Sequence, residues 1–263
     1  MNKILFLLSL LFCETISATD MRSNLHALLI CDTLAHKLKD AYLCDLQRMK
    51  ENVEGIAAQS QLNLDLNIFT DIQVTSKNIE KWISTLHLEA KDVVLVYYVG
   101  RQDRHAKSKG PWPVLKAAQH EGFSASALAK KLKKHKPLLT LIFFDCYDRL
   151  VWPCKCSMSF EKIPTDVDHS DIGLLFTKAK GVFMACSCPK GKESIGQKGR
   201  KLIGGVFTSA LITSIALNHT HPSWSKWYHV LKGYYFGRCG SIGKPLIYRH
   251  VKESANRVKR GEI

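Results

Sequence analysis

The chain is poor in long apolar runs, in proline and in acidic side chains, and each shortage removes a class of protein. After residue 20, even the run from Pro137 to Phe144 is only strand-sized, well short of the roughly 20 apolar residues that cross a bilayer, so no membrane span is expected. Only 8 prolines occur in 263 residues, with no low-complexity linker and no internal repeat, which removes solenoids and linker-divided arrays. Acidic residues number 23 against 38 lysines and arginines, a formal net charge of +15. Nucleic acid is not the expected partner, because the basic runs lack interleaved aromatics and no nucleic-acid motif accompanies them.

The basic residues gather in two places. Lys130, Lys131, Lys133, Lys134 and Lys136 crowd one helix end, and Arg249, Lys252, Arg257, Lys259 and Arg260 crowd the C-terminal end. Such runs are ordinarily solvated faces. They also favour an acidic partner on the basic surface.

The first residues read as a leader. Met1-Asn2-Lys3 gives a charged start, Ile4 to Phe12 a short apolar stretch, and Ile16 to Thr19 a small-residue ending. This pattern predicts a signal peptide over 1–18, cleavage after Ala18 and a secreted mature chain over 19–263. Cys13 sits after bulky Phe12, which disfavours lipoprotein acylation. The charge is unchanged by cleavage, since Lys3 and Glu14 leave together.

Of nine cysteines, eight remain after the leader. An even count in an exported chain permits disulfides without requiring them. Cys31 and Cys44 fall in segments that read as a buried strand and a helix, where a free thiol behaves as a small hydrophobe.

Along the chain, strand and helix patterns alternate. Leu25 to Cys31 is a short apolar run, and Leu38, Tyr42, Leu46, Met49 and Val53 recur at helical spacing. A strand over Leu64 to Phe69 follows. Next come a helix capped near Thr75, a Val- and Tyr-rich strand to Val99, a helix opened by Ser124 or Ser126, and a strand after Pro137. A strand over Gly181 to Cys186, helices over Val206 to Leu217 and Ser223 to Gly233, and a last strand over Pro245 to Tyr248 complete the series. Alternation of this kind predicts one three-layer α-β-α sandwich around a mostly parallel sheet of about six strands. Sites in such sheets lie at the carboxyl ends of strands, so the loops after Gly100, Asp145 and Cys186 are the candidates.

Those three strand ends carry a resemblance. Asp92 to Arg101, reading DVVLVYYVGR, resembles the caspase and metacaspase strand that ends in Tyr-Ser-Gly-His-Gly. Leu139 to Asp148, reading LTLIFFDCYD, resembles the family strand that delivers the nucleophilic Cys. Gly181 to Ser187 and Gly204-Gly205-Val-Phe-Thr resemble the strand and helix start of the smaller-subunit half. The resemblance implies the caspase-hemoglobinase fold, with a larger-subunit-like half over 25–150 and a smaller-subunit-like half over 151–263.

It also implies a vacancy. Arg101 stands at the position of the general base and Tyr147 at that of the nucleophile. Arginine stays protonated and tyrosine ionises only near pH 10, so neither can perform the dyad chemistry. No catalytic residue is expected, and the chain reads as a pseudopeptidase that binds peptide or protein. The alternative is an active cysteine endopeptidase that cuts after basic residues, with Cys146 as fallback nucleophile and His105 as fallback base. Strand alternation opposes it, because a one-residue slip sends Cys146 to the other face. By analogy with metacaspases, Asp145 with Arg101 nearby is the candidate substrate-binding pair for a peptide with a basic side chain. Equally, Asp145 can simply pair with Arg101 or Arg149.

Cys154, Cys156, Cys186 and Cys188 follow the two strands that flank the vacant site. Four thiolates can hold zinc, but Cys-x-Cys spacing and export favour disulfides between the two loops. No metal and no cofactor is expected. Asn218-His-Thr220 fits a glycosylation acceptor in a eukaryotic secretory host.

Overall fold

A computed structural model describes residues 22–103, 110–118, 122–151, 170–192, 194–198, 203–218, 222–239 and 245–253. In chain order the elements are β1 (Asn24–Cys31), α1 (Lys39–Ser60), β2 (Asn63–Thr70), α2 (Ser76–Thr85) and β3 (Val93–Gly100). They continue with β4 (Val114–Lys116), β5 (Gly122–Ser124), α3 (Ala125–Lys134), β6 (Leu139–Cys146), β7 (Leu150–Val151) and α4 (Ser170–Thr177). The remainder are β8 (Ala179–Cys186), β9 (Gly196–Lys198), β10 (Ile203–Gly205), α5 (Val206–Ala216), α6 (Trp224–Cys239) and β11 (Leu246–Glu253).

Six strands form the central sheet in the order β11-β8-β6-β3-β1-β2, parallel except for the antiparallel edge strand β11. The inner strands are apolar almost throughout, because both sheet faces are covered and neither alternate set of side chains meets water. On one face, Leu25, Ala27, Leu29, Leu95, Tyr97, Leu141 and Phe143 pack under α1, α4, α5 and α6. On the other, Leu28, Ile30, Val94, Val96, Ile142 and Phe144 pack under α2 and α3. This is the three-layer α-β-α architecture that the alternating pattern predicts.

Local chemistry sets the helix starts. The Thr75 side chain accepts the Asn78 amide at the head of α2, and Ser124 accepts the Ala127 amide at the head of α3. At the other end of α3, Lys136 takes a left-handed φ of 54° before Pro137 redirects the chain into β6.

Several elements go beyond the sequence expectation. Helix α4, the hairpin β4–β5 and the small sheet β10-β9-β7 are additions. Helix α6 runs past Gly233 to Cys239, and β11 extends past Tyr248 to Glu253. The leader over 1–18, Cys154, Cys156, His105, His219-Thr220 and the basic residues Arg257, Lys259 and Arg260 lie outside the described residues.

Candidate functional site

The carboxyl ends of β3, β6 and β8 lie side by side, because Gly100 is in register with Cys146 and Phe144 with Cys186. A cleft of about 210 Å³ opens over them, lined by Arg101, Gln102, Asp103, Lys116, Cys146, Tyr147, Asp148, Lys192 and Ser194. That volume is below the usual range for small-molecule sites, about 300 to 1,000 Å³. Arg101 and Tyr147, placed together by sequence reasoning, share this cleft.

Arg101 is held by the strand next door. Its Nε donates to Asp32 Oδ2 at 2.7 Å and its Nη2 to Oδ1 at 3.1 Å, a bidentate grip on a buried carboxylate at the end of β1. Gly100 permits the approach, since a Cβ there would lie 2.5 Å from both Asp32 Cβ and the Tyr98 hydroxyl. The hydrogen bond to Asp32 raises the guanidinium's pKa further, so this group is even less able to accept a proton.

Tyr147 is equally committed. It is 1% exposed, its hydroxyl donates to Asp45 Oδ2 at 2.7 Å, and its ring meets Tyr42 edge-on with centroids 4.8 Å apart. The Tyr42 hydroxyl donates to the Tyr147 carbonyl. Burial, then the neighbouring Asp45 charge, pushes the Tyr147 phenol well above its ordinary pKa. Asp45 itself comes from α1, pairs with Arg48 and accepts the Gly205 amide at 2.6 Å.

Asp145 is where the structure corrects the sequence reading most sharply. The sequence offers it with Arg101 as a substrate-binding residue, but it is fully buried on the α5 side of the sheet and does not line the cleft. Its Oδ2 accepts from the Thr208 amide at 2.9 Å and from the Thr208 hydroxyl at 2.7 Å, and that hydroxyl lies 2.6 Å from Tyr97 Oη. Its Oδ1 has no hydrogen-bond partner among the described residues. Burial first, and the nearby Asp45 second, raise its pKa to about 7. The physical reason is α5: a Cβ on Gly205 would lie 1.8 Å from Asp145 Oδ2, so the glycine lets the helix start close directly over the carboxylate. Arg101 pairs with Asp32, and Asp145 with Thr208, so neither partner considered for Asp145 in the sequence is the one it has.

The fallback chemistry fares poorly. Cys146 lies on the opposite sheet face from Tyr147, as alternation requires, and is 2% exposed. Burial raises its thiol pKa, the reverse of what a nucleophile needs. The bridges expected of Cys186 and Cys188 are not formed. Both are free, buried thiols. The Cys186 thiol donates to the Cys188 carbonyl at 3.0 Å, and Gln102 Nε2 donates to the Cys188 sulfur at 3.3 Å. Among the described residues no group of three or more His, Cys, Asp or Glu side chains is placed to hold a metal ion.

Asp32 and Asp45 are the site residues that sequence reasoning missed. Asp32 was visible as the residue closing the first strand, at the same sheet edge as Gly100. Asp45 carried a weaker signal, an acid on the face of α1 between the apolar Tyr42 and Leu46.

No family model and no curated protein matches the sequence. Solved structures do. Caspase-1 from Spodoptera frugiperda superposes with a TM-score of 0.51 at 16% identity over 86% of each chain. The chain has a caspase-like fold. Another solved structure, the protein GSU0716 from Geobacter sulfurreducens, matches with a TM-score of 0.50 at 13% identity, over 86% of this chain and 92% of that one. Identities this low establish the fold and leave activity to the side chains.

Proposed function

We propose that the chain is a pseudopeptidase, a non-catalytic peptide- or protein-binding module on a caspase-like scaffold. The carrying observation is that both positions of the expected dyad are engaged in structural contacts to buried carboxylates, Arg101 with Asp32 and Tyr147 with Asp45. Neither can move a proton or carry an acyl group while so held. The cleft above them remains open at side-chain size and offers carboxylates at Asp103 and Asp148 and ammonium groups at Lys116 and Lys192, which suits a polar peptide side chain. A preference for Arg or Lys through Asp145 would require the start of α5 to lift away from that carboxylate. Action outside the cell, following the leader over 1–18, belongs to the same proposal.

Fluorescence-anisotropy titration of labelled peptides that carry Arg, Lys, Asp or Ala at one position, run beside a hydrolysis assay, tests this. Binding without hydrolysis, weakened by Lys116→Glu with Lys192→Glu, is the expected result. Hydrolysis abolished by Cys146→Ala would instead establish a working peptidase.

A further inference from the structure

The end of the sheet opposite the cleft is built from lysines that three distant stretches bring together. Lys136 lies two residues before Leu138, whose carbonyl accepts the Gly181 amide at 2.9 Å. Lys180 precedes that glycine, and the antiparallel register sets it directly opposite Lys252 on β11. Exposed Lys133 and Lys134 complete the array on the last turn of α3.

The fold gives little reason for this arrangement. Like charges directly opposite on antiparallel strands repel. Lys136 adopts a left-handed φ that glycine or asparagine takes more readily. The helix dipole favours cations at the end of α3 and accounts for Lys133 and Lys134, but not for Lys136 beyond the helix or for the strand lysines. Lys131 has Glu80 as partner. Lys133, Lys134, Lys136, Lys180 and Lys252 have no ion pair among the described residues.

We propose that this end of the molecule binds a sulfated polysaccharide chain. All five cations are lysines, mobile point charges that can meet anionic groups spaced along a flexible chain without one fixed orientation. Arg249, the arginine of β11, lies instead over the Tyr228 ring, 5.8 Å from its centroid. Tyr248 is the single large apolar side chain exposed on β8 and β11. One ring is a poor anchor for a bilayer surface and a poor platform for stacked bases.

The test uses the full chain and heparin as probe. Lys136→Gln/Lys180→Gln/Lys252→Gln is compared with Lys37→Gln/Lys39→Gln/Lys77→Gln, which removes the same charge from exposed positions elsewhere. The first variant should bind heparin roughly tenfold more weakly or worse and lower the slope of log K against log salt by about three, while the second stays within about twofold of the parent. Equal losses in both would show that net charge alone is responsible and overturn the proposal. Unchanged binding in the first would do the same, as would tighter array-dependent binding to phosphatidylserine vesicles than to heparin. Removing lysines from the Lys180–Lys252 pair relieves repulsion, so the first variant should melt no lower than the parent.

Discussion

Arg101 turns back to Asp32, with Nε 2.7 Å from one carboxylate oxygen and Nη2 3.1 Å from the other. This side chain thus joins the end of β3 to the end of β1. Arg101→Gln should cost about 1 to 3 kcal/mol by leaving a buried carboxylate without its counter-ion. The lower part of that range is expected, because the arginine side chain is 34% exposed and solvent screens the pair. Arg101→Lys should recover only part of the loss, since lysine cannot reproduce the two-point contact. A double-mutant cycle with Asp32→Asn in urea unfolding measures the coupling.

Tyr147→Phe keeps the ring against Tyr42 and removes the donor to Asp45. It should destabilise the protein by about 1 to 2 kcal/mol, with little change in peptide binding. A destabilisation near zero would mean that the phenol contributes nothing to holding Asp45.

Cys146→Ala should leave the hydrolysis of Arg, Lys and Asp reporter peptides at the same null level as the parent. Thermal melting should show only the loss of a small buried side chain, about 1 kcal/mol. The comparison is made on protein purified under reducing conditions.

The folded protein holds the Asp145 proton far more tightly than the unfolded chain, with a pKa of about 7 against an unfolded value of about 3.9. This group's contribution to stability is therefore fully present below about pH 4 and is lost as pH rises through about 7. Melting temperatures of the parent and Asp145→Asn, measured across that window, should diverge from each other as pH rises, with the parent losing ground. Parallel curves would show that the carboxylate titrates normally.

Gly205→Ala forces a methyl group against Asp145 Oδ2 and the Tyr147 ring. The cost should be about 3 kcal/mol or more, read as a loss of soluble, cooperatively unfolding protein. Gly55→Ala, with nothing within 4 Å of the new Cβ, is the matched control and should be neutral or mildly stabilising.

The layer order and the strand ends were legible because both sheet faces are covered, which makes inner strands such as Val93–Gly100 continuously apolar. β11 was cut short in the sequence reading because an edge strand exposes Arg249, His250 and Lys252, and those charges read as solvated loop. The short strands β4, β5, β7, β9 and β10 have two or three residues each, too few for any periodicity to register. At the site, motif order pointed to Arg101 and Tyr147, and both line the same cleft. Their partners could not be read, because nothing local in Arg101 or Tyr147 states that the answering carboxylates sit on β1 and α1.

The contacts that fix Tyr147 and its partner Asp45 join residues 102, 105 and 160 places apart in the chain: Tyr147 to Asp45, Tyr42 to Tyr147, and Gly205 to Asp45. Closing loops of that length is entropically slow and has no local reward. Order in the cleft for this reason depends on α1 and α5 being present together. A fragment that stops before residue 203 retains Tyr147 and Asp45 but lacks the glycine amide and the helix that seal them, and it cannot serve as a reduced version of the site.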